Sequence, residues 1–119
     1  MHELGLLTGV VAAVSQAARS AGAPRVEAVG LRVGTLSGAV PEALEGAWPI
    51  ATTGTIAQGA ELTIEQVVAA VWCPACQAER PIDEFFALTC PACGQPTGHL
   101  VRGREFEVVY ADLADPPDG

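Results

Sequence analysis

The sequence contains no lysine and only two histidines, His2 and His99. Its six basic side chains are all arginine and stand against 14 Asp and Glu, a net charge of −8. A chain of that sign repels phosphate backbones, so nucleic acid is a poor partner. Aromatics are scarce at 5% of residues, which leaves alanine, valine and leucine to fill the core. No segment approaches the roughly 18 uninterrupted apolar residues of a membrane span, so no membrane association is expected. The first charged residue is Glu3, and nothing resembles a basic leader with a small-residue cleavage site. The expected location is cytoplasmic. Also missing are a Gly-rich phosphate loop, a paired-histidine motif and a serine with a histidine near it, since Ser15, Ser20 and Ser37 stand alone. These absences point away from an enzyme.

What is present fits one domain, or a small domain with an appendage, in 119 residues of which half are apolar. Residues 4–21 place Leu4, Leu7, Val11, Val14, Ala18 and Ala21 on one face at steps of three and four. With Arg19 in the last turn, Gly22 as a left-handed cap and Pro24 beyond, this predicts a helix beginning almost at Met1. Residues 25–33 read as a strand, with Val29, Leu31 and Val33 alternating. Pro41 suits the first turn of a second helix, with Glu42 and Glu45 near its positive end and Leu44 and Trp48 inward. Pro49 predicts a kink or an early end. A second strand carries Leu62 and Ile64 inward against Glu61, Thr63 and Glu65 outward. A third, within residues 104–113, places Phe106, Val108 and Tyr110 on one face. The final DPPDG is disordered by composition.

All four cysteines lie in two knuckles, CPAC (Cys73, Cys76) and CPACG (Cys90, Cys93). A two-residue gap lets both thiolates of a knuckle face one ion, and two knuckles supply four soft sulfurs to a tetrahedral metal. Gly94 suits the turn after the second knuckle. Disulfides do not suit a chain without an export signal, and a redox CxxC does not ordinarily occur twice without thioredoxin-like surroundings. Zinc is the favoured ion; iron, as in rubredoxin-like electron carriers, uses the same ligands and stays open. Four sulfurs leave no vacant position, so the site is structural. Zinc binding to such peptides is worth roughly 10–16 kcal/mol, on the scale of a whole domain's stability, roughly 5–15 kcal/mol. The intervening segment is too short to hold a core of its own and reads as a metal-closed insertion between the second and third strands.

The remaining feature is the opening Met1-His2-Glu3. It offers an α-amine, two backbone amides, an imidazole and a carboxylate within three residues. Nitrogen donors in a plane suit Ni(II) or Cu(II), and binding must weaken as pH falls because the donors are needed deprotonated. Alone, this signal is weak. Taken with RVEAVGLRVGTLSGAVPEAL, GTIAQGAELTIE and the spaced CxxC pairs, the chain closely resembles the hydrogenase/urease nickel-incorporation proteins, the HypA/HybF metallochaperones, over nearly its whole length.

The resemblance implies an α+β fold: a small three-stranded sheet packed with two helices, plus an inserted zinc-ribbon-like treble of loops closed by a four-cysteine zinc site. Residues 1–71 and 100–119 would form the nickel-binding domain and 72–99 the zinc-binding insertion. It implies delivery of Ni(II), the transferred cargo, to a [NiFe]-hydrogenase large-subunit precursor with a maturation GTPase, and in some organisms support of urease maturation proteins. Carried over by position, His2 is the nickel ligand with Met1 and Glu3 as helpers, and Cys73, Cys76, Cys90 and Cys93 hold structural zinc. Val40 and Thr35 stand where some members carry acidic residues. His99 is a further candidate nickel ligand. The competing class is a zinc-ribbon adaptor that binds protein and is indifferent to His2.

Overall fold

The computed structural model describes residues 2–83 and 89–117. Helix α1 (His2–Ser20) buries Leu7, Val10, Val11, Val14, Ser15 and Ala18. It ends where Gly22 adopts φ 73°. There the Ala23 amide reaches back to the Ala18 carbonyl at 2.9 Å, and both trailing groups find partners. Strand β1 (Val26–Gly34) follows, its Val29, Leu31 and Val33 fully buried. Helix α2 (Pro41–Thr52) carries the chain over to β2 (Glu61–Val67), which pairs parallel to β1 as a strand–helix–strand crossover requires. The last strand, β6 (Phe106–Leu113), pairs antiparallel on the other side of β1, giving the order β2-β1-β6. The core lies between the two helices and one face of this sheet.

Two local expectations change. Of the kink or early end expected at Pro49, the early end does not occur: α2 continues to Thr52. The proline removes one backbone donor, and the turn is held by side chains instead. The Trp48 indole donates to the Ala60 carbonyl at 2.7 Å, and the Thr52 and Thr53 hydroxyls donate to the Trp48 and Pro49 carbonyls at 2.9 and 2.6 Å. Strand β6 does not keep one alternation either. Gly30 and Leu31 are consecutive on β1 yet face Tyr110 and Val108, so Val109 is an extra residue in a bulge. The phase flips there. Phe106 packs on the core before the bulge, and Ala111 and Leu113 do so after it. Tyr110 consequently faces away from the core and is exposed, and Val108, in phase with Phe106, is exposed too. Tyr110 lies over Gly30, where a Cβ would collide with its ring.

The cysteine segment contains strands as well as loops. β3 (Ala70–Cys73), β4 (Ala78–Pro81) and β5 (His99–Arg102) form a second antiparallel sheet in the order β4-β3-β5. Its buried apolar cluster is small: Ala69, Val71 and Ile82, with Leu36 and Leu100 against them. The radius of gyration, 18.1 Å, exceeds the roughly 13.5 Å of a compact single domain of this length. At the joint the Thr35 amide donates to the Val67 carbonyl and the Ala69 amide to Thr35 Oγ1, both at 2.9 Å. The Leu36 amide donates to the Gly103 carbonyl at 2.7 Å. Gly103, at φ 131°, sits so close to Ala69 that no side chain fits between them.

Candidate metal centres

Strand β3 ends on Cys73, and the reversal into β4 carries Cys76. The Cys76 amide points at Cys73 Sγ, 3.4 Å away. Gln77 completes this turn with φ 53°, a left-handed conformation that costs an L-residue roughly 1–2 kcal/mol. Its side-chain Nε2 closes the turn by donating to the Pro74 carbonyl at 2.7 Å. In the second knuckle Gly94 occupies the equivalent position at φ 75° without steric cost, and its amide donates to the Cys90 carbonyl.

The two turns bring the four sulfurs within 4.8 Å of one another. Cys73 and Cys93 are 3.6 Å apart and Cys76 and Cys90 3.9 Å. A disulfide needs about 2.05 Å, so these are free thiols. A tetrahedron of sulfurs at the zinc distance of about 2.3 Å has edges of about 3.8 Å, and the observed pairs match it. The donor set therefore fits zinc. Burial of the Cys90 thiol opposes its ionisation, but the amides of Cys93 and Ala92 aimed at its sulfur outweigh that and hold it down at about 6. At Cys93 the Gln95 amide favours the thiolate. Hydrogen bonds shared with the sulfurs of Cys76, Cys73 and Cys90, together with desolvation, win and push it up to about 12.

His2 and Glu3 form the first turn of α1; Met1 lies outside the described residues. The His2 side chain is 58% exposed, with Nδ1 3.8 Å from Glu3 Oε2. The imidazole lies over the loop before α2, its Cε1 3.8 Å from where a Gly38 Cβ would stand. Glu3 is held more firmly, because its Oε2 accepts the Val40 amide at 3.3 Å. Helix α2 has no side-chain cap of its own at Val40. Glu3 thus ties the start of one helix to the start of the other. Bonds from its own amide first and then from the Val40 amide, with His2 nearby, hold its carboxyl below the usual range. In place of a carboxylate, Val40 presents a half-exposed apolar side chain, and Thr35 is engaged at the joint. His99 is exposed on β5 opposite Trp72. Among the described residues, the four cysteines are the one group of three or more side chains placed to share a metal.

The family described as "Hydrogenase/urease nickel incorporation, metallochaperone, hypA" matches residues 1–113. The chain belongs to the HypA family. The hydrogenase maturation factor HypA of Chloroflexus aurantiacus is 45% identical to it over 109 residues, covering 92% of this chain and 96% of that one. The HypA of Methylocella silvestris is 41% identical over 113 residues, covering 95% and 99%. The fold resembles the solution structure of the Ni metallochaperone HypA from Helicobacter pylori, with a TM-score of 0.64 and 15% identity over 94% of this chain and 97% of that one. A second HypA solution structure matches with a TM-score of 0.68 and 18% identity, covering 95% and 96%. HypA proteins are metallochaperones and not catalysts. No helix among the described residues is long and apolar enough to cross a membrane.

Sequence reasoning did not single out Arg80, which lies against the cysteine cluster. Nor did it anticipate Thr97, whose buried hydroxyl donates to the Trp72 carbonyl at 2.6 Å and fastens the second knuckle's exit to β3.

Proposed function

We propose that this protein is a cytoplasmic nickel metallochaperone that takes up Ni(II) at Met1-His2-Glu3 and delivers it for maturation of a [NiFe]-hydrogenase. The observation that carries the reading is the position of His2, an exposed imidazole on the first turn of a helix packed into the core. First-turn amides have no intrahelical acceptor, so the main-chain nitrogens beside this imidazole are not committed to the helix. The Met1 amine, the His2 and Glu3 amides and the His2 imidazole are the nitrogen donors suited to Ni(II). The Glu3 carboxylate, bound to Val40, acts by holding this turn in place.

A carrier must release its cargo. Few side-chain donors at an exposed helix start suit that need, while the four clustered sulfurs suit permanent zinc. On this reading residues 1–71 and 100–119 form the nickel-binding part and 72–99 the zinc-binding part, with Cys73, Cys76, Cys90 and Cys93 as zinc ligands. Zinc holds the second sheet as a rigid surface for partners, which are a maturation GTPase and the hydrogenase large-subunit precursor, or urease maturation proteins. The test is nickel titration of the untagged protein and of His2→Ala. The variant should lose nickel binding and keep one equivalent of zinc. Unchanged nickel affinity in His2→Ala would remove His2 from the site.

A further inference from the structure

Three of the arginines have polar partners of the ordinary kind. Arg32 meets Glu65 and Glu107, Arg102 meets Glu79, and Arg19 meets Gln16. Arg80 is different. It stands on β4 opposite Val71, two positions from Ala78, which stands opposite Cys73. Side chains two apart along a strand share a face, so Arg80 points to the same side as Val71 and Cys73, both buried. Its Nε is shut off from solvent and has no hydrogen-bond partner of its own among the described residues. The guanidinium lies against the sulfurs of Cys76 and Cys90.

Those two sulfurs belong to different knuckles and form one edge of the sulfur tetrahedron, 3.9 Å long. The opposite edge, Cys73–Cys93, has no such cation described against it. Four thiolates around a divalent ion leave the centre anionic. A planar guanidinium can direct separate N–H groups at two acceptors, which a lysine ammonium cannot do from a fixed plane. Withdrawing a guanidinium nitrogen from water is costly unless it meets charge, and thiolate sulfur supplies that charge here.

We propose that Arg80 is the counter-charge of the four-cysteine centre: its guanidinium spans the Cys76–Cys90 edge, links the two knuckles, and holds those two thiolates on the metal. This rests on the reading that the four cysteines bind zinc. By neutralising charge on two particular sulfurs, Arg80 makes them poorer targets for protons and electrophiles than the other pair. It is a positioning residue and does not itself ligate the ion.

The test uses the full-length protein and three variants: Arg80→Met, which keeps an unbranched stem, and Arg80→Gln and Arg80→Lys. Zinc affinity is measured by competition with a chromophoric chelator. The sulfur-to-metal charge-transfer bands are recorded after Co(II) substitution, and iodoacetamide alkylation of each cysteine is followed by peptide mass. Arg80→Met and Arg80→Gln should bind zinc about 10- to 100-fold more weakly, the usual effect of losing a group that supports metal ligands. Their cobalt bands should shift, and alkylation should speed up at Cys76 and Cys90 well before Cys73 and Cys93. Arg80→Lys should recover part of the affinity. Wild-type affinity and an unchanged alkylation order in Arg80→Met would overturn the proposal. So would equal acceleration at all four cysteines with no recovery by lysine, which would make Arg80 a packing element. If Arg80→Met fails to fold, Arg80→Gln and Arg80→Lys decide between the same outcomes. Wild-type protein that takes up neither zinc nor cobalt would instead remove the zinc reading, and this proposal with it.

Discussion

Removing the metal should unfold the second sheet of this molecule and leave the first intact. The buried apolar cluster beside the second sheet has three members, Ala69, Val71 and Ile82. At about 1.5–3 kcal/mol for a fully buried valine or isoleucine, and less for alanine, their burial supplies about 4–7 kcal/mol. Zinc binding contributes roughly 10–16 kcal/mol in comparable sites, so the ion outweighs the apolar cluster. The first unit has a cluster of buried residues running from Leu7 through Val29, Leu31 and Val33 to Leu44 and Trp48, and no cysteine among them. Cys73→Ala, or chelation of the wild type, should therefore erase protection in β3–β5 while β1 keeps it. Native-state hydrogen exchange reads this directly. The amides of Ile82, bonded to the Ala69 carbonyl, and Gly94, bonded to that of Cys90, report on the second unit. Leu31 and Val33 report on the first. Retained protection at Ile82 and Gly94 in metal-free protein would refute the argument, and so would loss of protection at Leu31 along with them.

Pro49→Ala restores a donor toward the Glu45 carbonyl and should raise stability by about 1–3 kcal/mol in urea unfolding; a destabilised variant would show that Pro49 packing matters more. Trp48→Phe leaves the Ala60 carbonyl without its indole partner and should cost about 1–3 kcal/mol in the same assay. Thr35→Val removes the acceptor for the Ala69 amide, so exchange at Ala69 should quicken while β1 is unaffected. The depressed Glu3 carboxyl gives a signed pH effect. Its tie to Val40 stabilises the fold above the usual carboxylate range and is lost as pH falls through its lowered value. The protection of the Val40 amide relative to its intrinsic exchange rate should therefore fall in acid in the wild type, and Glu3→Gln should flatten that dependence.

Much of this arrangement was legible in the residues. The step of three and four in α1, the alternation in β1 and β2, and the paired CxxC spacing each report a single local period or turn. The family match supports the resemblance drawn from the opening Met-His-Glu and the LSGAVPEAL stretch. The illegible parts depend on register. Val108, Val109 and Tyr110 are all bulky, so composition carries no mark of where a bulge inverts the faces of β6. Pro49 reads as a helix stop until Trp48 and the hydroxyls of Thr52 and Thr53 are seen holding that turn. Arg80 looks like a surface charge until β4 is set against β3, which aligns it with Val71 and the cysteine cluster.

The joint at Gly103 also bears on how such a chain can be cut and rejoined. A Cβ on Gly103 would stand 2.7 Å from the Ala69 Cα, so the two Cα atoms lie within about 4.2 Å, close to the 3.8 Å between consecutive residues. The chain leaves the first sheet and returns to it at almost the same point. A single peptide bond between Ala69 and Gly103 would span the gap and drop the whole cysteine-bearing segment, residues 70–102. The segment that carries the four cysteines is thus seated on one chain-width of backbone.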